Sequence, residues 1–366
     1  MSFLTTLPHD PLLDLDPWVG QRQCSFRFNL TNSLTGENLG EITPIRGASL
    51  THDTTRTIKR QLTLSLGVAD TAAINVVTDR VSPFMVFPDG QEYPLGTYMF
   101  TDASRQVFAS APTGRHTAGG LADVSLNDEM FLVDQQIEKG ISGILSNGVN
   151  LAVSTVIQLV LTGLPITYTL EPNTFQSTES WGVGTNRGQI LEALSVTGDY
   201  FSPWFGNDSK LHFIRTFDPN TQIPALDFDT GNKVIREPIL ETDDLLSAPN
   251  VFIVISNAAN DSDLPTVGTA NVPVNAPHSV VNRGFAVPSV QNLQLSTNAQ
   301  ATAVAQGLAN RQTVFERVSL TTAPDPRHDS YDVIKWQDDL WLELAWSMAL
   351  VEGGAMNHLL RKSYTP

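Results

Sequence analysis

The run Leu340-Trp341-Leu342-Glu343-Leu344-Ala345-Trp346-Ser347-Met348-Ala349-Leu350 sets Leu340, Leu342, Leu344, Trp346, Met348 and Leu350 at strict intervals of two. That is the period of a strand with one face on a core, because successive side chains point to opposite sides. Glu352-Gly353-Gly354 then makes a turn, and Met356, His358 and Leu360 continue the alternation on a returning strand. The segment reads as a C-terminal β-hairpin. Helix is the alternative, since Leu and Ala are good helix formers.

Upstream, the same alternation recurs between residues 23 and 120. Cys24, Phe26, Phe28 and Leu30 share one face, as do Ile58, Arg60, Leu62, Leu64 and Leu66. Val81–Phe87 ends at the turn Pro88-Asp89-Gly90, and a further strand follows over Tyr93–Phe100, with Gly96 at a bulge or turn. Strands this frequent, with no helical pattern between them, predict a small barrel or sandwich. Residues 1–22, punctuated by Pro8, Pro11 and Pro17, read as an extended arm.

Residues 121–218 differ. Val149, Ala152, Val153, Val156, Ile157, Val160 and Leu161 recur at helical spacing, and Gly163 and Pro165 stop that helix before a strand at Ile166–Leu170. A second helix is capped by Thr185, buries Ile190, Leu191 and Leu194, and ends with Gly198 at C′. Tyr200–Trp204 and Lys210–Thr216 form a hairpin around Gly206-Asn207-Asp208-Ser209. This is an α+β module. Over 219–366 the β pattern returns, with strands at Pro249–Ile255 and Ser319–Thr322. They bracket one Ala-rich helix, capped by Ser296 or Thr297 and running from Ala299 to Arg311. The expected fold is mainly β with an α+β insert: two small β-barrels or sandwiches, the α+β module, and the hairpin.

Composition narrows the function. The 366 residues carry 38 acidic and 22 basic side chains, a net charge of −16, and only 16% are charged. Tight nucleic-acid binding needs clustered Lys and Arg, so it is not expected. The single cysteine, Cys24, excludes an internal disulfide framework and reads as a small buried hydrophobe. The N-terminus lacks the basic and apolar regions of a signal peptide, so synthesis in a cytoplasm is the default. The uncharged stretch Ile141–Leu170 is broken by Asn147, Asn150, Gln158, Gly163 and Pro165, which a membrane span tolerates poorly.

A search for chemistry returns little. Gly182-Val183-Gly184-Thr185-Asn186-Arg187-Gly188 resembles a dinucleotide loop but lacks the preceding buried strand, so a helix-capping turn is the better reading. The seven histidines are scattered. In His9-Asp10, His52-Asp53 and His328-Asp329, neighbours on a strand point to opposite faces and make poor joint ligands. Asp243-Asp244 and Asp338-Asp339 read as solvated turns, with Glu343 in a strand. Tryptophans 18, 181, 204, 336, 341 and 346 suit core or interface anchors better than a sugar platform. No catalytic, cofactor or metal residue is expected.

Three passages carry a resemblance. They are Arg60-Gln61-Leu62-Thr63-Leu64 with Tyr93-Pro94-Leu95-Gly96-Thr97-Tyr98, then Pro249-Asn250-Val251-Phe252-Ile253-Val254, and finally Pro324-Asp325-Pro326-Arg327-His328-Asp329 leading through Trp341–Met348 to Gly353–His358. Together they resemble the minor tail proteins of long-tailed phages of actinobacteria, relatives of the contractile-phage baseplate hub and of the hub part of tail-associated lysins. That resemblance implies a non-enzymatic tail-tip hub. It implies a homotrimer, each chain giving two tube-like barrels to a ring that adapts the sixfold tail tube to the threefold tip and lines the DNA channel. Implied partners are a distal tail ring protein and the tail tube above, other tip and fibre proteins below, and the tape measure protein. A like-charged wall would keep passing DNA from sticking. Since the chain stops at Pro366, lytic or receptor-binding activity is expected on another polypeptide. The alternatives are a carbohydrate- or receptor-binding tail module, with exposed tryptophans on a concave face, and a tail-borne cell-wall hydrolase, with converging carboxylates or a His-centred site.

Under the hub reading, Arg327, His328, Asp329, Trp336, Trp341 and Trp346 are expected near subunit contacts, as the most unusual residues for an exposed turn and hairpin. Reversing Arg327 or truncating Trp346 should then weaken assembly and leave the isolated fold intact.

Overall fold

The computed structural model describes residues 24–67, 74–103, 122–229, 234–242, 248–256, 266–293, 295, 297–312 and 316–362. The N-terminal arm expected over 1–22, Trp18 and Asp243-Asp244 lie outside them.

The first β-module consists of β1 (Ser25–Asn32), β2 (Asn38–Ile42), β3 (Arg46–Asp53), β4 (Arg60–Leu66), β5 (Asp79–Val86), β6 (Glu92–Pro94), β7 (Tyr98–Ala103) and β8 (Ala122–Asp128). Alternation works as the pattern requires. Phe28 and Leu30 of β1, Leu62, Leu64 and Leu66 of β4, Val81 and Met85 of β5 and Leu126 of β8 enter one core, which Cys24 joins. The single strand expected over Tyr93–Phe100 is two, because Gly96, at φ +100°, breaks the run between β6 and β7.

The α+β module holds α1 (Val153–Leu161), β9 (Tyr168–Leu170), α2 (Arg187–Thr197), β10 (Trp204–Phe205) and β11 (Leu211–Phe213). Val156, Ile157, Val160 and Leu161 pack against Ile190, Leu191 and Leu194. Two details depart from expectation. Val149 lies outside α1 and is exposed, since the chain runs extended through Leu151–Ala152 before turning helical. The N-cap of α2 is Asn186, whose side chain accepts from the Gly188 N–H, and Gly198 is the C-cap, at φ −88°. The glycine-rich loop is therefore a capping turn.

The remainder comprises β12 (Val234–Thr242), β13 (Val251–Ser256), β14 (Thr266–Asn271), β15 (Pro288–Asn292), α3 (Asn298–Gln312), β16 (Glu316–Thr322), β17 (Val333–Trp336), β18 (Asp339–Leu350) and β19 (Met356–Lys362). Thr297 caps α3, its Oγ1 accepting from the Gln300 N–H. The helix packs on a small sheet in which β13 lies between antiparallel β14 and parallel β15.

β18 and β19 form the hairpin, turning at Gly353 with φ +68°. The hairpin is not peripheral. The main sheet runs β12-β16-β19-β18-β3-β4-β8-β7-β5-β1-β2, so β18 and β3 join the two β-modules into one surface. Along one edge β18 pairs with β17 through Asp339–Leu342, then with β3 through Ala345–Leu350. The change of partner coincides with a bulge between Glu343 and Ala345. A bulge adds a residue and inverts the alternation. The expected single apolar face from Leu340 to Leu350 is thus corrected: Trp341 and Glu343 share the face of Trp346, Met348 and Leu350, while Leu342 packs on Phe201, Trp204, Tyr331 and Val333. Trp346, Met348 and Leu350 belong to the core of the first module; Trp341 packs with Phe228, Ile334, Trp336 and Leu360. Among the described residues, no helix is long and apolar enough to cross a membrane.

Candidate functional site

Two buried polar clusters sit where β18 changes partner. The first centres on Arg60, which alternation places on the apolar face of β4 and which is 1% exposed. A guanidinium there needs its charge matched and its N–H groups accepted. One terminal nitrogen donates to Asn207 Oδ1 (2.5 Å) and the other to Asp329 Oδ1 (2.6 Å). Trp204 Nε1 donates to the same carboxylate oxygen at 2.9 Å. Asn207 Nδ2 in turn donates to the carbonyls of Pro326 and His328. Below, the Arg60 backbone N–H and that of Met130 donate to Asp128. Trp346 lies 5.4 Å from the guanidinium carbon. The cluster ties together β4, the 206–209 turn of the α+β module, and the 324–332 loop. Burial opposes the Arg60 charge, but Asp329, Tyr98 and Asp128 outweigh it and raise the pKa. Burial pushes Asp128 up to about 6, against those hydrogen bonds.

The second cluster is His328, Glu343 and His358. His328 Nδ1 lies 2.7 Å from Glu343 Oε2, and His358 Nδ1 lies 2.6 Å from Glu343 Oε1. All three side chains are fully enclosed. The two rings are 4.6 Å apart, with Phe228 against both. His358 Nε2 lies 2.8 Å from Thr322 Oγ1, which also lies 2.9 Å from the Ala323 carbonyl. Burial opposes ionisation of Glu343, yet the two imidazoles hold its carboxyl at about 2. Burial lowers both histidines; facing Glu343 reverses the shift for His328, which is raised, and leaves His358 lowered. Asp332 is half-buried, and desolvation pushes it up to about 7.

The six residues expected at subunit contacts fall as follows. Arg327 clamps Asp325 through Nε (3.0 Å) and a terminal nitrogen (2.7 Å), with 36% of its side chain exposed. His328 belongs to the second cluster and Asp329 to the first. Trp336, Trp341 and Trp346 are 8%, 2% and 3% exposed. Their area is covered by their own chain, because β18 is paired along both edges instead of standing out as a terminal hairpin. Truncating Trp346 therefore opens the core of the first module, which corrects the expectation that the isolated fold would be untouched. Trp204 is buried and Trp181 half-buried, so no described tryptophan stands out as a sugar platform.

Arg60, Asn207, Glu343 and His358 went unassigned in the sequence. An arginine in phase with Leu62, Leu64 and Leu66 was the signal for the first. Glu343 gave none, because the bulge reverses its side. A groove of about 630 Å³ runs over the opposite face of the seam, lined by Thr51, Asp53, Gln61, Thr321, Ser347 and Asn357 among others.

No family model matches the sequence, and no curated protein matches it. Solved structures do. A tail protein from Neisseria meningitidis aligns with TM-score 0.59 at 12% identity, covering 92% of this chain and 97% of that one. The 43 kDa tail protein of prophage MuSo2 from Shewanella oneidensis aligns at 0.57 and 10%, covering 92% and 98%. A prophage tail protein from Listeria monocytogenes aligns at 0.56 and 9%, covering 92% and 94%. Identity at this level speaks for architecture, and over nine-tenths of its length this chain has the fold of these phage tail proteins.

Proposed function

We propose that the chain is a structural tail-tip, or baseplate, hub protein of a long-tailed phage, made in the host cytoplasm and carried in the virion. Three copies form a ring that adapts the sixfold tail tube to the threefold tip and surrounds part of the DNA path. The observation that carries this reading is the seam: β18 and β3 join two β-modules side by side within one chain, so three chains supply six modules. The net charge of −16 suits a wall that DNA passes without sticking. A distal tail ring protein and the tube above, tip and fibre proteins below, and the tape measure protein are the partners this role requires. The role is non-enzymatic. Buried aromatic side chains and fully enclosed His328, Glu343 and His358 weigh against the sugar-binding and hydrolase readings.

The test is the copy number and symmetry of the assembled particle, by mass photometry and electron microscopy. Three copies around an open axis support the hub. A monomer at all concentrations that also fails to join a tail tip overturns it.

A further inference from the structure

Glu343, His328 and His358 meet at the seam with all three side chains fully enclosed. Thr322 Oγ1 lies 2.9 Å from the Ala323 carbonyl and 2.8 Å from His358 Nε2, and its one hydrogen serves either of them. With that hydrogen on the carbonyl, a neutral His358 carries its proton on Nε2 and turns the Nδ1 lone pair toward Glu343 Oε1, 2.6 Å away, the tautomer a metal ligand needs. Two lone pairs at that distance repel unless a cation lies between them. His328 Nδ1 faces the other carboxylate oxygen at 2.7 Å, and the ligand atoms of all three residues lie within 4.8 Å of one another.

We propose that His328, Glu343 and His358 bind a divalent transition-metal ion of the Zn²⁺ class. Two imidazoles and one carboxylate suit Zn²⁺, Co²⁺ or Ni²⁺ better than the all-oxygen preference of Mg²⁺ or Ca²⁺. Thr322 acts as the outer partner that fixes the tautomer of a ligating histidine. The Asp325 and Asp332 carboxylates add negative potential at His328. The ligands come from three separate places, the 324–332 loop, β18 and β19. A metal there would clip the loop that carries Asp329 onto the hairpin. Complete enclosure makes the site structural, filled as the chain folds.

The experiment refolds the full chain from denaturant with chelator, with ZnCl₂, or with CoCl₂, followed by gel filtration and metal analysis. The expected result is about one metal per chain, a visible cobalt spectrum of tetrahedral nitrogen–oxygen type, and a Tm about 5 °C higher in saturating zinc than in chelator. His358→Gln and Glu343→Gln should lose the metal. His212→Gln, which removes a half-buried histidine outside the cluster, paired with Asp208, should keep it. Where a buried variant fails to fold, the wild-type stoichiometry and cobalt spectrum still decide. Metal-free protein with the same Tm in zinc and chelator overturns the proposal, as does metal lost on His212→Gln and retained on His358→Gln. An imidazolium at His358, seen by ¹⁵N NMR of zinc-refolded protein, also overturns it, because a proton then fills the gap.

Discussion

Arg60 and Asp329 stand 269 positions apart in the chain and meet at 2.6 Å, with the guanidinium enclosed and the carboxylate also held by Trp204 Nε1. This contact fastens the closing loop to the first β-module through the α+β module. Removing one partner of a buried pair leaves an uncompensated charge and costs about 3–5 kcal/mol. Asp329 is 31% exposed, so water can reach the vacated place and the lower end applies. Asp329→Ala is expected to cost about 3 kcal/mol in urea unfolding. Adding Arg60→Met should return part of that loss. If the double variant is less stable than the sum of the singles, the pair is not the fastening contact.

Trp346 and Arg327 both serve the fold of the single chain, the one by packing and the other by holding Asp325. Trp346→Ala deletes an indole from the core it shares with Leu50, Leu62 and Met348, at an expected cost of about 3–5 kcal/mol. Arg327 is 36% exposed but clamps Asp325, whose side chain is only 5% exposed, so Arg327→Glu sets a second carboxylate against a buried one and should cost about 3 kcal/mol or more. Thermal unfolding of both variants checks this. Arg327→Lys, which keeps the charge beside Asp325 and gives up only the planar fork, is therefore the cleaner probe of a subunit contact: a Tm close to that of the wild type with a weakened ring places Arg327 at one, and an unimpaired ring removes it.

Much of this architecture was legible in the sequence, because most strands bury one parity of side chain. The alternation of β1, β4 and β5 and the stripes of α1 and α2 lead directly to their buried faces. What escaped has a physical cause. Between Leu340 and Ala345 both parities are apolar, so nothing marks where the phase slips, and Glu343 was assigned no partner. Asn207 looks like any turn residue until the 324–332 loop arrives. His328 and Asp329 are neighbours in the loop that serve different clusters. Pairings over such distances depend on topology, which a local pattern does not encode.

Gly268 tests how closely α3 packs on its sheet. A Cβ at this position of β14 would fall 2.1 Å from the Ala301 carbonyl carbon and 2.2 Å from the Thr302 nitrogen, backbone atoms that cannot swing aside. Gly268→Ala must push the helix off the sheet and open the layer that holds Phe252, Val254 and Ala305. A loss of about 2 kcal/mol is expected, in the range of overpacked cores. Gly36, whose substituent would meet open space, is the control, although its φ of +71° also disfavours alanine. Hydrogen exchange should show α3 amides losing protection only in Gly268→Ala. Uniform loss across the chain would mean that the small sheet and the helix do not open as a unit.

His52 gives the stability a dependence on pH whose sign can be worked out. Its Nε2 lies 3.0 Å from Ser330 Oγ, its ring is 5.4 Å from Trp346, and it is 2% exposed. Burial first, and the Arg60 and Lys59 charges with it, hold its pKa well below the ordinary 6.5, while Glu343 works the other way. Above pH 6.5 the ring is neutral both folded and unfolded, and its contribution is flat. Below it the unfolded chain takes a proton that the folded chain refuses, so stability falls as pH falls, by about 1.4 kcal/mol per unit. Asp128 acts in the opposite sense. Its folded pKa of about 6 exceeds the ordinary carboxylate value of 3.8, so the folded chain takes up a proton first and gains stability as pH falls toward 4. The sum of such effects conceals each one, and the comparison must be with His52→Gln, which keeps a polar group facing Ser330 and cannot charge. Between about pH 7 and 5.5 the wild type should lose about 1 kcal/mol more than the variant in urea unfolding. Equal losses would mean that His52 takes its proton as readily folded as unfolded, and that the seam around Trp346 admits water.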